Sequence, residues 1–226
     1  MNKNNIIPFT NKFQLLKFFN LSNKRLQLIE LLKNENIPTI ILNAFIKIPR
    51  EFFLPYDKVD FSYQNKPIPI GFQQTISQPS LVCKMIHKLE LQSRHNVLEI
   101  GTGIGYNASL LSLLSKHTTT VEILPELVKR AKARMVFCQE QGIIRNNISL
   151  IHGDGNLGYF PNAPYDRIIV TCGSFEIPQE LINQLKEGGI IVIPVKERLK
   201  NGNIAEFIYI VNKMSGKIFI KKDESV

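Results

Sequence analysis

Three closely spaced glycines follow a short apolar run, and no other arrangement in the sequence suggests chemistry so directly. The run at residues 97–100 carries one acid, Glu99, and leads straight into the sequence GTGIG at residues 101–105. A glycine lets the backbone approach a ligand because it has no Cβ, and in parallel sheets ligands bind where the strands end. We therefore expect a nucleoside-binding loop, with a tight turn that binds nothing as the alternative. The contacts assigned to this loop are Glu99, Gly101, Thr102, Gly103 and Gly105.

The glycine spacing indicates which nucleoside the loop would take. The pattern is G-x-G-x-G, one residue tighter than the G-x-G-x-x-G fingerprint of dinucleotide-binding proteins. This spacing, together with the acid Glu99 in the preceding strand, favours S-adenosylmethionine over NAD. A dehydrogenase is therefore the weaker interpretation.

Two further acids follow the next two predicted strands. Glu122 closes the first of these strands, where a carboxylate can accept hydrogen bonds from both hydroxyls of a ribose. Asp154 stands between Gly153 and Gly155 after the second strand, in a turn that can hold its carboxylate against an adenine amino group. Taken alone, each acid is more simply a solvated residue or part of an Asp-Gly turn. Three such features at the ends of three successive strands indicate one nucleoside site, and Glu122, Asp154 and Gly155 join the predicted contacts.

The elements that would position these residues alternate along the chain. Apolar periodicity, with prolines at helix starts, predicts helices over residues 79–91, 106–116, 125–141 and 178–186 and strands over residues 96–100, 119–123, 148–152, 165–171 and 189–194. Residues 205–212 and 217–220 flank a short polar turn and predict an antiparallel hairpin. This order indicates an α/β, Rossmann-like fold with a mostly parallel sheet, closed at one edge by the C-terminal hairpin.

The first third of the chain is less regular. Residues 1–22 predict an irregular or loosely helical arm, residues 24–34 predict a helix, and a second helix runs from Pro38 until Pro49 ends it. Residues 50–78 are rich in proline, and we expect a loop without regular structure there. We divide the chain into residues 1–78, an arm with helices and an active-site loop packed on the core, and residues 79–226, the methyltransferase domain. Together they are expected to form a single structural unit.

Composition and charge argue against several other classes of protein. Hydrophobic residues make up 44% of the 226 residues and the net charge is +9, while no apolar run approaches the roughly 20 residues of a membrane span. Without a recognisable secretion signal, we expect a cytoplasmic protein with no membrane partner, and we take it to be a monomer. Basic residues are not interleaved with aromatic ones, so nucleic-acid binding is not expected. The dispersed Cys83, Cys138 and Cys172 predict buried, reduced thiols, and no metal site is expected.

A longer stretch carries a more specific resemblance. Residues 69–79, PIGFQQTISQP, resemble the signature that precedes the cofactor loop in protein-L-isoaspartate (D-aspartate) O-methyltransferases. Further segments match that family in order and spacing over about residues 25–196, namely residues 48–53, 97–103, 152–155, 163–166, 168–171, 177–178 and 185–189. The resemblance implies a class I S-adenosylmethionine-dependent methyltransferase that methylates isoaspartyl and D-aspartyl residues of damaged proteins and so initiates their repair.

The resemblance also implies residue roles. It makes Ser77 the active-site serine and places Thr75 and Ile76 beside the methionine moiety of the cofactor. Glu122 would bind the ribose, and Asp154 the adenine. The cofactor contacts that the family likeness adds are Gln74, Thr75, Ile76, Ser77 and Thr171.

This chemistry needs no strong base. The methyl group leaves a positive sulfonium and the acceptor carboxylate is ionised at neutral pH, so the site must supply proximity, alignment and exclusion of water. The hydroxyl of Ser77 could orient the carboxylate without removing a proton. Ser77 could also cap the helix that begins near Pro79, and the two roles are compatible.

The sequence departs from the family in two places. Gln64, Asn65 and Lys66 stand where an acid is usual, which could alter how the loop closes over the substrate. Lys196 replaces a usual glycine, and residues 197–226 lack the family's C-terminal strand sequence, so they are expected to match poorly. Two alternatives therefore stay open: a diverged paralogue that methylates another protein or a small molecule, and a non-catalytic binding module whose basic ends engage nucleic acid or a partner.

Overall fold

The chain forms an α/β structure in which helices pack around one large sheet. The computed structural model describes residues 12–225, and side chains over residues 21–223. In chain order the helices and strands are α1 (Lys12–Asn34), α2 (Thr39–Lys47), β1 (Ile68–Gly71), β2 (Gln74–Ile76), α3 (Pro79–Lys88), β3 (Asn96–Ile100), α4 (Tyr106–Leu114), β4 (His117–Glu122), α5 (Pro125–Glu140), β5 (Ile148–His152), β6 (Tyr165–Val170), α6 (Gln179–Asn183), β7 (Leu185–Arg198), β8 (Ile204–Met214) and β9 (Lys217–Ser225).

The large sheet has seven strands in the order β5-β4-β3-β6-β7-β8-β9. The pairs from β5 to β7 are parallel, and β8 and β9 are added antiparallel at one edge. The chain moves outward from β3 through β4 to β5 and then returns to the other side of β3 with β6. The strand order therefore reverses between β3 and β6, and ligands bind at such reversals in open α/β sheets. The predicted parallel sheet with a C-terminal antiparallel hairpin is confirmed.

The two central strands are buried on both faces. Val97 and Ile169 belong to the core on one face of the sheet, and Leu98 and Ile168 to the core on the other. Because neither face meets water, apolar residues stand next to one another in both strands instead of alternating with polar ones, at Val97–Leu98 in β3 and Ile168–Val170 in β6. None of the helices within residues 12–225 has the length and apolarity that crossing a membrane would require.

The N-terminal helices share the larger of these two cores. Phe45 of α2 and Phe53 meet the ring of Tyr106 edge-on, with ring centroids 5.9 and 5.4 Å apart. Leu32 of α1 is fully buried in the same cluster. The described part of the N-terminal segment is therefore packed on α4, which begins directly after the glycine loop.

The structure differs from the sequence predictions in three places. For residues 1–22 an irregular or loosely helical arm was predicted; α1 is a continuous helix from Lys12, so the irregular alternative is wrong from that residue onward, and residues 1–11 lie outside the described part. Residues 50–78, predicted to lack regular structure, contain two 3₁₀ turns and the hairpin β1–β2. β7 begins at Leu185, which shortens the preceding helix to Gln179–Asn183. For hairpin β1–β2 and for β7, pairing with a neighbouring strand extends regular structure beyond the local sequence pattern.

A two-residue turn closes the hairpin β1–β2. Phe72 and Gln73 form it, and both have φ in the left-handed region, at 53° and 57°. Positive φ at both central positions is the pattern of a type I′ turn, which favours Asn-Gly because other residues are strained there. Arg130 of α5 holds the turn: its Nη1 donates to the carbonyl of Ile70 at 3.1 Å, and its guanidinium lies 5.1 Å from the ring centroid of Phe72.

We expect Gln73→Gly to raise the free energy of unfolding by about 0.5–1 kcal/mol. A left-handed conformation costs a non-glycine residue about 1–2 kcal/mol, and part of this gain is offset because glycine loses more backbone entropy on folding. Urea unfolding measures the change, with Gln73→Ala as the matched control because alanine keeps the strained φ. Equal stabilities for the glycine and alanine variants would contradict the strain assigned to this turn.

Candidate active site

A cavity of about 320 Å³ opens at the carboxyl ends of the central strands, a size typical of small-molecule sites. Loops that follow β3, β4, β5 and β6 form its floor and sides, and strand β2 with the residues after it forms another wall. The topology gives the reason, because parallel strands bring their carboxyl ends to the same edge of the sheet.

The glycine loop follows β3. Gly101 and Gly103 have φ of 95° and 56°, in the left-handed region that glycine adopts without strain. A Cβ on Gly101 would lie 2.6 Å from Oγ1 of Thr171. That hydroxyl is 2.6 Å from the carbonyl oxygen of Gly101 and 3.0 Å from that of Ile100. Thr171, directly after the neighbouring strand β6, therefore fixes the start of the loop.

Glu122, at the end of β4, is held by two backbone donors. The N–H of Gly103 donates to Oε2 at 2.8 Å, and the N–H of Leu124 donates to Oε1 at 3.0 Å. A carboxylate oxygen can accept more than one hydrogen bond, so each oxygen keeps acceptor capacity toward the cavity that Glu122 lines. This arrangement suits two neighbouring hydroxyl donors.

Asp154 and Gly155 line the cavity from the loop after β5. Oδ1 of Asp154 accepts from the backbone N–H and the side-chain amide of Asn156, at 2.9 and 3.1 Å. Its other oxygen has no protein partner among the described residues. A Cβ on Gly155 would lie 2.3 Å from Cγ2 of Ile100, so only glycine lets this loop lie against β3.

Glu99 does not line the cavity but is fully buried beneath it. Its carboxylate accepts hydrogen bonds from the hydroxyl of Thr120 and, at 2.7 Å, from the amide of Asn107. Thr120 is in turn bonded to the hydroxyl of Thr102 at 2.6 Å. Burial raises the pKa of Glu99 from an ordinary 4.5 to about 7, against the opposing effect of these donors and with a smaller rise from the charge of Glu122. Glu99 thus supports the glycine loop from below.

The residues after the hairpin turn form the wall opposite the glycine loop. Ser77 is half-buried, lines the cavity, and its hydroxyl has no hydrogen-bond partner among the described residues. The predicted capping role is wrong: α3 has Gln78 at its N-cap position and receives no hydrogen bond from that residue's side chain. Oδ1 of Asn65 instead accepts the N–H of Ser80 at 2.9 Å. Asn65 therefore supplies a hydrogen-bond acceptor to the first turn of α3.

The structure brings most of the predicted contacts together around this cavity. Those that line it are Gln74, Thr75, Ile76, Ser77, Gly101, Thr102, Gly103, Glu122, Asp154, Gly155 and Thr171. Glu99 lies underneath, and Gly105 lies at the start of α4, where a Cβ would come within 3.2 Å of Met135. Gly105 therefore permits close packing of α4 on α5.

Several lining residues were not singled out from the sequence. Asn107, Asn156 and Tyr106 also line the cavity. Asn107 and Tyr106 follow the glycine loop by only one or two positions, which is the one local signal that could have indicated them. Cys172 is exposed and lines the cavity, so the prediction of three buried thiols is wrong for this residue. It lies two residues after the end of β6, where the chain leaves the buried sheet.

Comparisons with known proteins agree with this geometry. The family model described as "Protein-L-isoaspartate(D-aspartate) O-methyltransferase (PCMT)" matches residues 23–226. The protein-L-isoaspartate O-methyltransferase of Dictyoglomus thermophilum is 43% identical over 197 residues, which cover 87% of this chain and 85% of that protein. The protein of the same name from Methanoculleus marisnigri is 46% identical over 158 residues, 70% of each chain. The family model extends over residues 197–226, which were expected to match poorly.

Solved structures show the same fold. A structure named protein-L-isoaspartate O-methyltransferase superimposes with a TM-score of 0.76 at 30% identity, covering 89% of this chain and 64% of that one. This chain thus spans slightly less than two thirds of that solved protein's length. A putative protein-L-isoaspartate O-methyltransferase from Plasmodium falciparum, solved in complex with S-adenosyl-L-homocysteine, also gives a TM-score of 0.76, with 20% identity over 88% of this chain and 94% of that one. At that identity the second comparison supports the fold alone.

We expect Gly155→Ala to destabilise the protein by about 1–3 kcal/mol, because the added methyl group would overlap the side chain of Ile100 and force the loop away from β3. Gly153→Ala is the matched control in the same loop, since a Cβ there would make only ordinary contacts, at 3.8 Å with Val121 and 4.0 Å with Ile151. Thermal unfolding of both variants measures the effect. Similar losses for the two variants would show that the contact with Ile100 is not the cause.

The buried carboxyl group of Glu99 predicts a pH dependence of stability. A carboxyl whose pKa rises on folding binds more protons in the folded state between its two pKa values, so stability falls as pH rises from about 4.5 to about 7. We expect Glu99→Gln to remove this component, which amounts to about 3 kcal/mol at 1.36 kcal/mol per pKa unit. Urea unfolding of both proteins from pH 4.5 to 8 tests this, with the exposed Glu126→Gln as control. A constant difference between the wild type and Glu99→Gln over that range would refute it.

Proposed function

Because the chain belongs to the protein-L-isoaspartate(D-aspartate) O-methyltransferase family, we propose that it transfers the methyl group of S-adenosylmethionine to the free carboxylate of isoaspartyl and D-aspartyl residues in damaged proteins. The observation that carries the proposal is one cavity lined by the glycine loop, Glu122, Asp154 and the Ser77 segment. Its substrates are then proteins and peptides that contain such residues.

The residues of the cavity fit the cofactor. Gly101 and Gly155 line the cavity, and they let the loops pack closely at its edge, because a Cβ would collide with Thr171 and Ile100 respectively. Glu122, fixed by its two N–H donors, would hold the ribose hydroxyls. The unpartnered oxygen of Asp154 would accept a hydrogen bond from the adenine amino group. When bound, S-adenosylmethionine supplies a methyl group on a positively charged sulfonium.

The residues of this chain position the acceptor carboxylate and exclude water from it. An ionised carboxylate already carries its nucleophilic electron pair, so no side chain has to remove a proton. Ile76, Val82 and Met85 line the cavity beside Ser77 and limit water there, which strengthens the electrostatic interactions of the carboxylate. The free hydroxyl of Ser77 can donate a hydrogen bond to one carboxylate oxygen and leave the other directed at the methyl group.

Neither alternative from the sequence is favoured. A diverged acceptor site was inferred from the C-terminal residues, yet the family match includes them. A non-catalytic module gains no support from a cavity lined by most of the residues predicted to bind the cofactor. The monomeric state, the cytoplasmic location, the division at residue 78 and the absence of a nucleic-acid partner stay predictions.

We expect the purified protein to transfer labelled methyl from S-adenosylmethionine to an isoaspartyl peptide and not to the aspartyl peptide of the same sequence. Ser77→Ala should lower kcat by about 10²-fold, since misplacing a reacting group by about 1 Å costs that much. Ser93→Ala is the matched control, because Ser93 is exposed and precedes β3 at the opposite end of the sheet.

Two outcomes would contradict this function. One is the absence of isoaspartyl methylation by folded protein that binds S-adenosylhomocysteine in calorimetry. The other is equal methylation of the two peptides. Unchanged activity of Ser77→Ala would refute the role of Ser77 and leave the reaction itself standing.

A further inference from the structure

Arg50 is a fully buried cation that the proposed reaction does not use. It begins the 3₁₀ turn Arg50–Phe53 after α2, and its side chain is 0% exposed. Its Nη2 donates to the carbonyl of Ser77 at 2.8 Å, and its guanidinium carbon lies 5.0 Å from the ring centroid of Tyr106. Its Nε and Nη1 have no hydrogen-bond partner among the described residues.

No carboxylate among those residues neutralises this cation. The neighbouring Glu51 is taken by Arg25, whose Nη2 donates to it at 2.9 Å, and by the hydroxyl of Tyr63. Burial accordingly lowers the pKa of the Arg50 guanidinium. A buried charge without an ionic partner is costly. Stability therefore does not explain why Arg50 is buried beside Ser77.

Arg50 determines which groups of Ser77 can face the cavity. Ser77 lines the cavity whereas Arg50 does not, so the hydrogen bond draws the Ser77 carbonyl toward the buried core. The carbonyl oxygen carries partial negative charge and would repel an acceptor carboxylate if it faced the cavity. With the carbonyl held in the core, the hydroxyl of Ser77 remains as the polar group of this residue at the cavity wall.

The segment after Ser77 is fixed as well. Gln78 is extended, with φ −60° and ψ 144°, because a residue before proline avoids the helical conformation. Asn65 then accepts the N–H of Ser80. Arg50 supplies the anchor on the other side, so Ser77 is held between two fixed points.

We propose that Arg50 is a positioning residue for Ser77, which holds the Ser77 carbonyl in the core so that the hydroxyl is presented to the acceptor carboxylate. This inference rests on the proposed function, in which Ser77 orients that carboxylate. The planar guanidinium suits the task because it can stack on Tyr106 and donate at its edge to the carbonyl. A lysine at this position would keep the charge but lose the planar geometry.

A double-mutant cycle between Arg50 and Ser77 tests the proposal. The kcat for an isoaspartyl peptide is measured for wild type, R50M, S77A and R50M/S77A. If Arg50 acts through Ser77, R50M lowers kcat about 10-fold in the wild type and less than about 2-fold in the S77A background. R50K should lie between R50M and the wild type, and calorimetric affinity for S-adenosylhomocysteine should change less than about 3-fold in R50M and R50K.

Arg167→Met is the matched control for loss of a buried arginine. Arg167 is 8% exposed and donates to the carbonyls of Leu89 and Gly188 near the amino end of β6, away from the cavity. It should lower the melting temperature without lowering kcat at a temperature where the protein is folded. If R50M does not fold, R50K takes its place in the cycle.

Hydrogen exchange gives a second readout that does not depend on the reaction. R50M should speed amide exchange in residues 76–78, and R167M should leave that segment unchanged. An equal loss of kcat from R50M with and without Ser77, or unchanged exchange in residues 76–78, overturns the proposal. If the wild type does not methylate the isoaspartyl peptide, the proposed function fails, and the exchange result alone decides whether Arg50 positions this segment.

Discussion

The pairing of β3 with β4 on one side and with β6 on the other is the constraint on which the site depends. The chain must leave β3 in one direction and return to it from the other, so the loops at the carboxyl end of β3 are left uncovered by any crossing helix. Every group proposed to hold the cofactor comes from a loop at that edge or from the segment that closes over it. The glycines are needed there because the loops pass close to one another as well as to a ligand. Gly101 meets Thr171 from β6, and Gly155 meets Ile100 at the end of β3.

Two of the buried polar groups serve the same edge. Glu99 has no contact with the cavity, yet its hydrogen bonds to Thr120 and Asn107 join β3, β4 and the first turn of α4 directly beneath the glycine loop. Arg50 lies behind the opposite wall and is bonded to the carbonyl of Ser77. Apolar residues could fill either position more cheaply. Buried polar groups have directional bonds that packing cannot supply, and in this protein those bonds end on the two segments that must be held most accurately.

The N-terminal segment completes the site. The sheet by itself provides a nucleoside-binding edge, which is common to many α/β proteins and does not specify an acceptor. Hairpin β1–β2 and the residues that follow it provide the other wall. Arg130 of α5 holds the hairpin, and Asn65 accepts a hydrogen bond from the first turn of α3. Because α1 and α2 share the larger core with α4, the glycine loop and the wall opposite it are parts of one packed unit.

The sequence by itself determined the strands of the large sheet, most of the helices and the glycine loop, because these depend on local patterns, whereas hairpin β1–β2 was not predicted. Apolar runs, prolines at helix starts and the spacing of the glycines depend on neighbours within one element. The family resemblance supplied the predicted role of Ser77 and the proposed acceptor. Tertiary structure alone decided that Glu99 supports the loop from below, that Ser77 caps no helix, that Cys172 is exposed and that Arg50 is bonded to Ser77. These facts depend on pairs of residues far apart in the chain, and a local pattern carries no information about which distant side chain folding will bring into hydrogen-bonding range.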